Sequence, residues 1–328
     1  MAKYSDAKIK QLKPMRAQRQ QAFDALVDEL ARSAHSDTGF FGPSSVSWRM
    51  TREAVLFGTG MAPLLLQVAH PMVAQAVADY SKYAEQPLAR AYRTFDAVFK
   101  IVYGSRDTAV QVAKRTFAIH NAIAGTFDDV VPGYGTDYDS CDGEAMLWIY
   151  ATLMYAVWKG HELLVAPVPK ADRTTWYQES KVFALLFGVP ETLIPPDFDA
   201  FVSYYEGMMA GERIVVTPTA QKVAVALKQG VGFPLTLSAP ARNAVGALLL
   251  PAKIREAYAM PYDPASRALA HTTLAAMRTA AHLVPTTYRS VPAYRNALRR
   301  TGELPERALG RRLDKALVDV VQRVAMPA

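Results

Sequence analysis

The stretch PLARAYRTFDAVFKIVYGSRDTAVQVAKRTFAIHNAIAG, residues 87–125, reads as two helices joined by a tight break, and the rest of the chain is expected to bury them. Pro87 suits the first turn of a helix, where its missing N–H is not needed, and Gly104 suits the position just past the end. Ser105 is placed to cap the second helix. Asp107 then lies in the first turn, where the helix dipole favours an anion, and Gly125 is expected to close it.

At about 100° per residue, Ala109, Val112, Thr116, Ile119 and Ile123 form one apolar arc of the second helix, and His120 falls inside it. On the first helix Arg90, Arg93, Thr94, Ala97 and Ile101 share a face, beside an apolar one made by Phe95, Val98, Phe99 and Val102. Two cations and a hydroxyl therefore point at or beside a core. A buried cation without a partner costs several kcal/mol, so this edge needs an anion or water. Two readings follow from the pattern. In one, His120 hydrogen-bonds a neighbouring carbonyl and the arginines reach solvent along their apolar stems. In the other, His120 is the axial ligand of a heme iron, the arginines receive its propionates, and small Ala97 lets the macrocycle lie close to the backbone.

The 328 residues are 51% apolar, enough for a large core, with a net charge of +7. The basic residues are dispersed except at the two ends, and no zinc-finger spacing or RNA-binding aromatic motif accompanies them, so no nucleic-acid partner is expected. Cys141 is the sole cysteine, which excludes an intramolecular disulfide, a cysteine-rich metal site and covalent heme attachment. Residues 1–20 are basic and polar without an apolar core, so a secretory signal is not expected and a cytoplasmic location is. The longest apolar run, residues 54–69, is shorter than the ~20 residues of a membrane span and is broken by glycines, Pro63 and Gln67. It ends at His70-Pro71, where the proline holds His70 out of helical geometry at a junction between helices, a place from which an imidazole can be aimed into a cavity. Phe57-Gly58-Thr59-Gly60 lacks the third glycine and the preceding strand of a nucleotide loop, so close helix packing explains it better.

Residues 5–34 read as an outer helix with one docking stripe. A nearly all-round apolar helix over residues 144–159 is expected at the centre, and an irregular acidic loop over 126–143 precedes it. Proline-punctuated helices follow, and no useful length of sequence alternates with period two. The expected fold class is all-α, a multi-helix single domain: an N-terminal helix and loop over 1–47, a core over 48–290 and a basic helical tail over 291–328. There is no His-x-x-x-His pair, no Gly-x-Ser-x-Gly elbow, no phosphate loop and no Glu-x-x-His motif. Glu179 and Glu206 are not paired into an acid/base couple. What remains is histidine, arginine, aromatic and small residues in a helical setting.

Ala69-His70-Pro71, Arg90, Arg93-Thr94, Val102-Tyr103-Gly104, Ile119-His120 through Gly125, Leu147-Trp148, Tyr177-Gln-Glu179, Phe187-Gly188-Val-Pro190 and Leu283-Val-Pro285 with Arg289 stand in this order. As a set, over about residues 48 to 290, they resemble the heme-dependent oxygenases that include the latex clearing protein and the oxygenase of the mycophenolic acid pathway. The resemblance implies a globin-like helical core holding non-covalent heme b. His120 matches the iron ligand, and Arg90 and Thr94 match family residues near the heme. It also implies O2 as co-substrate and a lipophilic, alkene-bearing or aromatic small molecule as substrate. Arg93 stands where the rubber-cleaving enzyme has a lysine able to occupy the distal position. A guanidinium stays protonated and is a poor iron ligand, so Arg93 and His70 are expected to act on bound oxygen by charge and hydrogen bonding. No counterpart of the carboxylate base of rubber cleavage is identified ahead of Arg90. The rival expectation is a non-catalytic helical carrier or sensor of heme or a lipophilic ligand.

Overall fold

A computed structural model describes residues 4, 6–81, 87–230 and 237–305, and beyond them 310, 312, 314–316 and 318–319. The fold is all-α, as expected. Its centre is the Gly143–Leu164 helix, started by the Asp142 carboxylate accepting from the Ala145 N–H and carrying eleven buried residues, among them Trp148, Tyr150, Met154 and Trp158. A helix apolar all round has to be covered all round. The Met61–Val68, Lys170–Phe187, Phe198–Ala210 and Pro264–Leu283 helices and the 3₁₀ turn Ala54–Thr59 pack against it. The Trp148 indole N–H donates to the Leu66 carbonyl, so the deepest aromatic carries no orphan donor.

The helical hairpin forms where the sequence puts it, as Pro87–Tyr103 and Arg106–Asn121, and the Ser105 side chain accepts from the Thr108 N–H. Two details differ. Gly125 does not close the second helix, which ends at Asn121. It lies instead in a short strand, Ala124–Thr126, paired antiparallel with Asp137–Asp139. A methyl group at Gly125 would meet the Tyr138 ring at 2.9 Å, so the glycine serves this ribbon rather than the helix. The ribbon pins the loop that had read as irregular. The buried face of the second helix is also rotated from the expected arc. It runs through Ala109, Ala113, Phe117 and Asn121, while Ile119 is 53% exposed. The cause is the Asp6–Ser33 helix, which docks there by stacking Phe23 on Phe117 at 3.9 Å and accepting at the Arg16 carbonyl from the Asn121 side chain.

Of the two glycines in the 54–60 region, Gly58 is a packing position. A methyl on Gly58 would collide with the Met277 side chain of the Pro264–Leu283 helix. Among the described residues no single helix is long and apolar enough to cross a membrane. The Met61–Val68 and Pro71–Tyr80 helices reach the required composition only as a pair, bent by 97° at His70.

Candidate functional site

His120 lies in the last turn of the Arg106–Asn121 helix, partly buried, with its ring edge-on to Phe187 at 5.6 Å. The backbone that puts Phe187 there ends in Gly188, a left-handed cap (φ 102°) whose N–H returns to the Ala184 carbonyl. A side chain on Gly188 would strike Phe117, the residue one turn before His120. The imidazole has no hydrogen-bond partner among the described residues. Burial pushes its pKa down to about 4, so the ring is neutral near pH 7 and keeps a free nitrogen lone pair. That is the state required of a metal-ligating histidine.

The first helix of the hairpin runs from exposed to buried. Arg93 and Thr94 are exposed, Ala97 is partly buried, and Ile101 and Val102 are in the core. Arg93, expected at a core edge, projects to solvent with no ion-pair partner among the described residues. The side chain of Arg90 lies outside the described residues. Thr94 belongs to the wall of a central apolar cavity of about 160 Å³, with Leu64, Gln67, Val98, Leu153 and Phe183 from four surrounding helices. Neither His70 nor His120 is in that wall.

His70 is 2% exposed at the junction before the Pro71–Tyr80 helix, as the proline implied. Tyr134 from the acidic loop stands edge-on to it, with its hydroxyl 3.4 Å from Nε2. That hydroxyl donates to the Arg213 carbonyl at 2.9 Å, so Nε2 carries the imidazole proton and Nδ1 is left buried with no partner. Burial and the nearby Arg213 charge push the His70 pKa down to about 4. Between that value and ~6.5 the unfolded chain binds a proton that the folded chain refuses, so stability falls as pH drops through this window. For His70 alone the loss approaches about 3 kcal/mol at pH 4. Urea titrations at pH 7 and pH 4.5 should show it, and His70→Gln should make the dependence shallower, with the part due to His120 remaining. An equal slope in the variant would assign the acid sensitivity to other groups.

The carboxylate in the wall of the central cavity is Glu53, which precedes the first apolar helix and drew no attention in the sequence. Its side chain is 1% exposed and forms ion pairs with Arg289, whose Nε lies 2.8 Å from Oε2, and with Arg52; Oε1 accepts hydrogen bonds from Arg289 Nη2 at 3.3 Å and Arg52 Nε at 3.2 Å. The only sequence signal was an acid standing between Arg52 and an apolar run. Glu179, by contrast, is occupied in capping the Val46–Thr51 helix, where it accepts from the Val46 and Ser47 N–H groups at 3.2 and 2.7 Å.

Residues 48–286, the part of the chain that holds His70, the hairpin, Glu53 and most of the wall of the central cavity, match the family described as ER-bound oxygenase mpaB/B'/Rubber oxygenase, catalytic domain. The chain belongs to this family. Its fold is similar to that of latex clearing protein in the closed state, with a TM-score of 0.51 at 17% identity over 92% of this chain and 88% of that one. Uncharacterized proteins from Mycobacterium bovis and Mycobacterium tuberculosis are each 26% identical over 157 residues, 47% of this chain. The match spans 60% of the length of each of these curated relatives.

Proposed function

We propose that this protein is a heme b-dependent oxygenase that uses O2 to oxidise a lipophilic, alkene-bearing or aromatic small molecule. The observation that carries the reading is His120: a neutral, partly buried imidazole with no protein partner, on the helix hairpin of an oxygenase domain. The residues fit the cofactor. His120 would offer a lone pair to the iron, Ala97 presents only a methyl group, Thr94 presents a hydroxyl, and the solvent-exposed guanidinium of Arg93 would suit a propionate. Heme bound there supplies the activation of O2. The chain supplies an apolar setting and orientation. Phe95, Val98, Leu153 and Phe183 give the central cavity an apolar lining suited to a lipophilic substrate. His70 holds its proton on Nε2 toward Tyr134 and keeps Nδ1 as a buried acceptor, a second neutral imidazole available for proton transfer.

The test is spectroscopic first. Protein produced with heme supplied should purify with a Soret band in proportion to the chain, and should consume oxygen when given candidate lipophilic alkenes. No Soret band overturns the heme proposal. A Soret band without substrate-dependent oxygen uptake across such a panel makes the protein a carrier or sensor.

A further inference from the structure

A second cavity, larger than the central one at about 580 Å³, lies on the other side of the Pro87–Tyr103 helix. Its volume is within the ~300–1,000 Å³ usual for small-molecule sites. One wall is core: Ala54, Val55, Gly58 and Met277. The opposite wall comes from residues 288–300 and Val318, which lie past the end of the matched family region at 286. The chamber is therefore completed by the C-terminal part of this chain. The sequence had shown that part only as a basic tail.

Phe57, Phe95 and Phe99 belong to the walls of both cavities. Phe57 meets Phe95 and Phe99 edge-on, at 4.8 and 6.0 Å between centroids, so these rings form an aromatic partition shared by the two spaces. At the opposite side the rim is polar and cationic. Tyr288, 75% exposed, marks the mouth together with exposed Lys100 and Arg300. Lys100 is already paired with Asp96 at 2.6 Å. Arg300 donates to two backbone carbonyls, of Asp37 and Tyr103, and is in no ion pair among the described residues. Arg295, in contrast, is saturated by Asp314.

We infer that this chamber binds a lipophilic molecule bearing one carboxylate. Its tail lies against the phenylalanine partition, and its head lies at the rim on the guanidinium of Arg300. The charge pattern selects this occupant: an apolar interior, Asp96 already committed to Lys100, and at the mouth Arg300, which feels the nearby Asp37 charge but is in no direct ion pair among the described residues. The site serves as an antechamber to the central cavity. Only that onward role rests on the oxygenase reading, because binding itself needs no heme.

The test titrates heme-free and heme-loaded protein with a dansylated undecanoic acid and with its methyl ester, followed by fluorescence. Saturable binding is expected in both forms, with the acid about fivefold tighter than the ester, a modest ratio because the rim is solvated. Arg300→Gln should abolish the acid's advantage while leaving ester affinity unchanged, and Arg300→Lys should restore most of it. Ala293→Trp, which fills the chamber from the C-terminal helix, should weaken both probes at least tenfold. Displacement by fatty acids of increasing length should strengthen by up to about fourfold per methylene until the chamber is full. Phe99→Ala should move that plateau to longer chains by joining the two cavities. Equal affinity for acid and ester in the unsubstituted protein, or loss of both together in Arg300→Gln, overturns the head-group assignment. Undiminished binding in Ala293→Trp overturns the chamber. Binding by the heme-free protein stands even where no Soret band forms, so failure of the oxygenase reading and failure of this one are told apart.

Discussion

His120→Ala protein, expressed and purified with heme supplied, should lose the Soret band that the unsubstituted protein shows. Heme affinity should fall at least ~100-fold, since altering residues that merely orient a metal ligand already costs 10–100-fold. The substitution is mild for the fold. Alanine is the best helix former, and His120 is in the last turn of its helix. The ring makes no hydrogen bond that its removal would orphan, and the edge contact with Phe187 is worth about 1 kcal/mol. Loss of heme with a cooperative melt retained would therefore report ligation. Adding imidazole to the variant should restore a Soret band, because a free imidazole reoccupies the space of the missing ring. A variant with unchanged heme content and spectrum would remove His120 from the iron and leave it a core histidine.

The parts of this architecture that follow from nearest neighbours in sequence could be read directly. Pro87, Gly104 and Ser105 act within one turn of themselves, so the hairpin formed as expected. The all-round apolar helix could only be central. What sequence did not reveal depends on partners far away. The Ala124–Thr126 and Asp137–Asp139 strands are three residues long, too short for an alternation signal, and each exists only by pairing with the other. The arc through Ile119 was displaced because Phe23, nearly a hundred residues away in sequence, selects Phe117 as the docking point. Whether an arginine on a shared face meets core or solvent depends on where the helix leaves the core, which explains exposed Arg93 above buried Ile101. His70 was identified by the proline after it, but its partner Tyr134 comes from a loop whose path no local pattern fixes. Glu53 escaped because a lone acid has no periodicity, and its meaning lies in Arg289 at the far end of the domain.

That distant pair carries the second large effect. Glu53→Gln keeps the shape of the side chain and removes its charge, leaving Arg52 and Arg289 facing one another across an amide. Breaking a buried ion pair by removing one partner costs ~3–5 kcal/mol. The two guanidiniums are 24% and 21% exposed and recover part of their hydration, so a loss of about 2–4 kcal/mol is expected. It should appear as a lower urea midpoint with an unchanged slope. The damage should not be uniform. Arg289 sits between the Pro264–Leu283 helix and the Glu53–Ser290 bridge, where the Val291 N–H donates to the Arg52 carbonyl at 2.7 Å. This is the clasp by which the chain beyond the matched family region is held against the 54–58 wall of the second chamber. Amide exchange over residues 288–300 should therefore accelerate more in Glu53→Gln than exchange in the Gly143–Leu164 helix. A double-mutant cycle with Arg289→Leu separates a coupled pair from two independent losses. Additive effects, or exchange that accelerates equally in both segments, would show that the charges stabilise the core generally and do not fasten the C-terminal segment to it.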